Sequence, residues 1–191
     1  MLLGSVAGYK GGIIGDVIMR ITDMFLSVPF LVLAIAFLTV FGRNLTVMII
    51  ALVVVWWPTY TRIVRGQVLS VRELKYVEAS VASGSSPLRT VLKHIIPNSI
   101  YPIFVQISLD FGNVILTIAA LFYFGVGFAG YSTLEWWNLI GLAKDLGGGT
   151  PALTKYWWTV LIPGFTILIL VVSLNLLGDG LRDVTDPRFR R

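Results

Sequence analysis

Long blocks without a charged residue alternate with short charged stretches along this chain. Met24–Phe41 is an uncharged block of 18 residues, Asn44–Thr61 another of 18, Phe111–Leu134 one of 24 and Tyr156–Gly178 one of 23. Ile95–Leu109 precedes the third block and is parted from it only by Asp110. A hydrocarbon core about 30 Å thick takes roughly 20 helical residues at ~1.5 Å each. The pattern therefore predicts four spans, near 22–41, 46–67, 99–124 and 157–178. Met1–Tyr9 is apolar but too short to cross, and reads as the end of a further helix. The expected fold is all-α: a polytopic membrane helical bundle of four full spans plus a partial N-terminal one.

Residues 70–98 break this pattern. Ser70–Ala82 reads as a short amphipathic helix, with Leu74, Val77 and Val81 at helical spacing and Glu73 and Lys75 pointing elsewhere. Ser83-Gly84-Ser85-Ser86-Pro87 is a break, because Gly adopts positive φ and Pro opens a following helix. Leu88–Ile96 forms a second short helix, expected to stop at Pro97. Two readings stay open from these residues alone. The elbow fits a groove on another protein, with small Ala79 and Ala82 allowing close approach, or it lies on lipid headgroups.

Composition supports a membrane solvent. Of the 191 residues, 56% are hydrophobic and 13% charged, and mean hydropathy is +0.83. Soluble domains carry about 25% charged residues. With no Cys, a disulfide scaffold, a thiolate metal site and a catalytic thiol are excluded. His94 is the one histidine, so neither a metal site nor a Ser-His-Asp set is expected. Gly147-Gly148-Gly149-Thr150 lacks the Lys of a phosphate loop and reads as an external turn. No cofactor, no metal and no enzymatic activity are expected. Met1-Leu2-Leu3-Gly4 has no basic segment of the kind that opens a signal peptide.

The net charge of +5 reads as topology. With 70–98 cytoplasmic, twelve basic residues fall inside and three (Arg43, Lys144 and Lys155) outside, as the positive-inside bias requires. No nucleic-acid partner is expected, because no basic stripe interleaves with aromatics. Asp23 is expected at the start of the 22–41 helix, where the helix dipole favours a carboxylate. Pro29 and Pro58 fall inside spans as tolerated kinks. Trp136-Trp137 and Trp157-Trp158 suit an interfacial belt.

Gln106, Asp110, Asn113 and Thr117 are spaced 4, 3 and 4, on one face of the 99–124 helix. Asp110 lies roughly 16 Å past the helix start. Intramembrane carboxylates face a bundle interior or a watery cavity, so these four residues either line a translocation pathway or form a hydrogen-bonded network between helices.

Residues 78–97 carry a resemblance. Glu78-Ala79-Ser80, three residues, Gly84, nine residues and then His94-Ile95-Ile96-Pro97 resembles the cytoplasmic loop motif of ABC importer permeases. The His-Ile-Ile-Pro-Asn ending is similar to that of the dipeptide/oligopeptide/nickel branch. Also similar to that branch are Ala7-Gly8-Tyr9 with Gly11-Gly12, Arg20–Pro29, Trp57-Pro58, Arg62, Arg65–Leu69, Asn175–Asp183 and Asp186-Pro187-Arg188, so the resemblance covers nearly the whole chain. Phe122-Tyr123-Phe124-Gly125-Val126-Gly127 departs from that branch's usual sequence. Family members also begin about a hundred residues earlier, so the sequence looks like a fragment or a truncated reading frame.

The resemblance implies one permease domain over 1–191 (partial), with a cytoplasmic coupling loop at 70–98 and an external loop at 126–156. It implies a location in the inner (cytoplasmic) membrane with the C-terminus cytoplasmic. It implies a transport subunit for peptides or a similar solute (nickel and oligosaccharides are carried by the same branch), driven by ATP that a partner hydrolyses. The implied partners are ABC ATPase subunits, a second permease subunit and an extracytoplasmic solute-binding protein. Leu74, Tyr76, Glu78, Ala79, Val81, Ala82, Gly84 and Ser85 are the expected ATPase-coupling interface. The alternative is a self-contained secondary transporter or channel that uses Asp110.

Overall fold

The structure is a computed structural model that describes residues 1–127, 135–146 and 156–185. Among these residues it is all-α. In chain order the helices are α1 (Leu2–Lys10), α2 (Gly12–Leu26), α3 (Phe30–Phe41), α4 (Leu45–Arg72) and α5 (Lys75–Ala82). There follow α6 (Pro87–Thr90), a π-helical turn (Val91–Ile95), α7 (Ile96–Ser99), α8 (Tyr101–Tyr123), α9 (Trp136–Leu146) and α10 (Trp158–Thr185). Among the described residues, α4, α8 and Trp158–Gly180 of α10 are long and apolar enough to span a bilayer, and α2 with α3 makes a fourth if the pair is one broken span. On α10, Leu161, Ile162, Phe165, Leu168, Ile169 and Leu176 are each more than half exposed. Contiguous apolar exposure on that scale belongs in lipid rather than water. The chain is a multi-pass membrane protein.

The expected span at 22–41 is not one helix. It is broken at Ser27–Pro29, where α2 ends and Pro29 (φ −55°, ψ 127°) precedes α3. Pro disfavours the α conformation in the residue before it and cannot donate to the helix. The Ser27 hydroxyl donates to the Met24 carbonyl at 2.8 Å and takes up one free group of the last turn. Asp23 therefore lies near the end of a helix, where the dipole disfavours a carboxylate, and it is held instead by an ion pair with Arg62. Pro58, by contrast, sits inside a continuous α4.

The elbow also differs from expectation. The helix expected over 70–82 is split, because α4 runs on to Arg72 and α5 starts only at Lys75. Pro97 does not stop the second limb, since helix continues to Ser99. The turn before it widens to π, with the Ile96 N–H bonded to the Val91 carbonyl, and the Asn98 side-chain amide donates to the His94 carbonyl at 2.6 Å. A π turn gives the ring of an in-helix Pro room, and the side-chain amide beside it satisfies a carbonyl of the preceding turn.

The chain divides into two compact units. The first holds Met1–Val28 and Val55–Ile107. Its core is Val64, Val68 and Val71 of α4, Val77 of α5, Ile95 of the π turn and Ile103 of α8, with Tyr9, Tyr60, Ile63 and Val91 packed against them. In this unit α1 lies close on α4. A Cβ at Gly4 would come within 2.6 Å of the Thr61 carbonyl oxygen, and one at Gly8 within 2.8 Å of Val68. Glycines four apart open a flat face that lets two membrane helices approach.

The second unit holds Pro29–Val54 and Ser108–Arg182. There α8 meets α10 at another tight contact, with Ser108 against Gly178, and Gly112 against Val171 and Asn175. Leu121, Phe122 and Val126 are buried near the end of α8. The Arg43 guanidinium donates to the Gly125 carbonyl at 2.7 Å.

Candidate functional site

The elbow is built from α5, the turn after it and the limb from Pro87 to Ser99. Leu74, in an extended conformation (φ −79°, ψ 138°), precedes α5. Its carbonyl accepts the N–H groups of Val77 at 2.8 Å and Glu78 at 3.2 Å. Glu78 lies in the first turn of α5, where the positive end of the helix favours a carboxylate. The far end closes as a Schellman turn: the Ser85 N–H reaches the Ser80 carbonyl at 3.2 Å and the Gly84 N–H the Val81 carbonyl at 2.9 Å. Gly84 has φ +83° and open space around it, so the backbone conformation, not crowding, requires glycine there.

Burial separates anchor from surface. Of the apolar positions read from the α5 spacing, Val77 is 2% exposed and enters the core with Ile95. Leu74 and Tyr76 are 44% exposed and Val81 is 50% exposed. Glu78, Ala79, Ala82 and Gly84 are exposed as well, and Ser85 is half-buried. The eight residues expected at the coupling interface thus lie together on one short helix and its turn. Pairing α4 and α8 with the elbow through Val64, Val68, Val77, Ile95 and Ile103 couples any displacement of the elbow to both helices, because close-packed cores transmit strain. The Tyr76 and His94 rings, 6.5 Å apart between centroids, link the two limbs.

Gln106, Asp110, Asn113 and Thr117 all lie on α8. Asp110 and Thr117 are buried, Gln106 is half-buried and Asn113 is exposed. The Asn113 amide donates to an Asp110 carboxylate oxygen at 3.4 Å, a long hydrogen bond, and the Thr117 hydroxyl to the Asn113 carbonyl at 2.7 Å. At 100° per residue these four residues lie on the side of α8 opposite Ser108 and Gly112. The α8 helix thus has a small-residue face against α10 and a separate polar stripe. Both the pathway and the network reading are compatible with that placement.

Some structural residues were not read from the sequence. Gly4 and Gly8 carry the signal of small residues four apart, and Arg72 donates to the Gly8 carbonyl at 3.1 Å. Of the tryptophans expected at an interface, Trp136, Trp157 and Trp158 are 41–51% exposed. Trp137 is half-buried, with its ring 6.2 Å from Phe122. The turn expected at Gly147–Thr150 and the motif Asp186-Pro187-Arg188 lie outside the described residues. Among the described residues no cluster of His, Cys, Asp and Glu suits a metal ion.

Comparison with known proteins decides the family. The model of the binding-protein-dependent transport system inner membrane component matches residues 1–191. The chain belongs to this family. As an inner-membrane-component family protein it is similar to the dipeptide transport system permease protein of Alkalihalophilus pseudofirmus, with 40% identity over 188 residues, 98% of this chain and 60% of the relative. It is also similar to the di/tripeptide permease protein of Pseudomonas aeruginosa, 37% identical over 190 residues, 100% of this chain and 60% of the relative. The oligopeptide permease protein of Bacillus subtilis is 38% identical over 191 residues, again 100% and 60%. The chain thus spans about 60% of the length of these curated relatives. All three are named as permeases of transport systems.

Proposed function

We propose that this protein is a membrane subunit of an ATP-driven peptide importer, forming part of the solute pathway and taking its energy from a separate ATPase through residues 70–98. The observation that carries this reading is the elbow: an exposed surface of Leu74, Tyr76, Glu78, Ala79, Val81 and Ala82 on a helix anchored by Val77 into the core that holds α4 and α8. A helix with exposed apolar and small residues suits a groove on a partner, and its anchored side gives the partner a grip on the spans. The relatives' names, dipeptide, di/tripeptide and oligopeptide permeases, point to peptides as the solute.

The mechanism follows from mass action. Shifting a two-state membrane domain from 1:99 to 99:1 takes about 5.5 kcal/mol of differential binding. ATP-driven closure of two ATPase subunits would supply it by drawing together the elbows of this chain and a second permease subunit. The Gly84 turn keeps α5 at a fixed angle to the second limb, and Glu78 makes a charge-assisted contact with the partner. A binding protein outside would deliver the peptide to 126–156. On this reading 70–98 and the C-terminus are cytoplasmic, in line with the twelve-to-three split of basic residues. Asp110, Gln106, Asn113 and Thr117 would line the pathway. Membership of a binding-protein-dependent family favours this subunit over a self-contained carrier using Asp110. The test is purification of the assembled transporter: co-purification with ATPases and a second permease, and ATP-dependent peptide uptake that persists with an uncoupler, are expected. Uptake without an ATPase and abolished by the uncoupler would overturn the proposal.

A further inference from the structure

The two limbs of the elbow differ in chemistry. The first carries both signs of charge, with Lys75 and Glu78 on α5. The second carries Arg89 and Lys93, and no acidic residue occurs from Ala79 to Leu109. Leu88 and Leu92, four residues apart, are 71% and 55% exposed. Arg89 and Lys93 are exposed beside them, also four apart. Thr90 and Ile95, by contrast, are buried. The limb thus keeps one side in the protein and presents a pair of leucines flanked by two cations on the other.

We infer that the second limb, Pro87 to Ile95, rests on the anionic headgroups of the bilayer surface, with Leu88 and Leu92 in the acyl boundary and Arg89 and Lys93 on lipid phosphates. The inference rests on the cytoplasmic placement of 70–98 proposed above. A short helical face with leucines beside basic residues has the chemistry of an interfacial segment. The cytoplasmic leaflet is negative and attracts basic juxtamembrane groups within a Debye length. The charge decides between occupants: an apolar pair flanked by two cations, on a limb without an acidic residue, suits a phosphate surface, whereas the mixed charges of α5 suit a protein groove. The elbow then has two contacts, lipid under the second limb and the ATPase on the first. The lipid contact holds the lever at a fixed height, so that force on α5 turns the spans instead of tilting the arm.

The absence of native Cys makes single thiols direct reporters. Leu88→Cys and Leu92→Cys replace exposed side chains, and Ala79→Cys reports the first limb. Each variant of the whole chain is reconstituted in phosphatidylcholine vesicles with or without phosphatidylglycerol, and the rate of labelling by a water-soluble maleimide is measured. With phosphatidylglycerol and no ATPase, labelling at 88 and 92 is expected to slow about tenfold. The slowing should disappear in 1 M salt, where the Debye length is about 3 Å, and in the Arg89→Gln/Lys93→Gln background. Labelling at 79 should ignore lipid composition. Equal labelling at 88 and 92 in both lipids overturns the inference, as does protection there only when an ATPase or a second permease is added. Failure of ATPase to protect position 79 would instead count against the coupling reading, so the two failures are distinct.

Discussion

Gly84 shows how one backbone angle shapes the elbow. At φ +83° a side chain pays roughly 1 kcal/mol, and the Schellman hydrogen bonds hold the residue there. Gly84→Ala is expected to lower uptake several-fold in the assembled transporter with insertion unchanged. Gly84→Pro should abolish it, because proline fixes φ near −65°. Uptake assays against membrane levels check both. Glu78→Lys reverses an exposed charge whose one described role in the fold is at the start of α5, so it should abolish uptake while costing only about 1 kcal/mol of stability through the helix dipole. Gly84 was legible because a glycine in a serine-rich break before proline has few other uses. The role of Asp23 is not legible in the same way, because it depends on where α2 ends, and that is set by Ser27 and Pro29 together.

At the scale of elements, the apolar blocks located α4, α8 and α10, since a charge-free run of this length admits little else. Helix ends were less legible. Pro29 and Pro58 follow apolar residues in similar blocks, yet one parts two helices and the other is buried inside one. Pro58 is fully buried within α4, whereas at Pro29 the Ser27 hydroxyl takes a carbonyl of the preceding turn. Pro97 reads as a stop in the sequence because a π turn before it leaves no mark in the spacing. The α1–α4 contact gives a direct prediction. Gly8→Val puts a β-branched side chain where even a Cβ would lie 2.8 Å from Val68, and overpacking of this kind costs about 1–3 kcal/mol. Unfolding in detergent should show that loss. Ile95→Ala empties part of the core beneath the elbow at a cost of about 2–5 kcal/mol. In the transporter it should lower uptake more than ATP hydrolysis, measured side by side, because the anchor loosens while the α5 surface stays intact.

For the molecule as a whole, membership of a family and a multi-pass all-α architecture were legible in motif order and hydropathy, whereas the polar stripe on α8 was legible as a stripe but not as a role. Spacing puts Gln106, Asp110, Asn113 and Thr117 on one face, and the structure buries Asp110 and Thr117 while leaving Asn113 exposed. Asp110→Asn separates the alternatives. ATP-driven uptake that tolerates it, with an uncoupler present, counts against a proton- or cation-driven carrier, whereas a loss of folded protein would assign the carboxylate to helix packing. The lever itself is tested most directly by cross-linking. Ala79→Cys or Ala82→Cys, in the transporter reconstituted with its ATPase, should form a bifunctional cross-link to the ATPase and should be labelled only by reagents that reach the cytoplasmic side. A thiol at these positions that is modified by an impermeant reagent from outside the cell, or that never cross-links to the ATPase, would contradict the account.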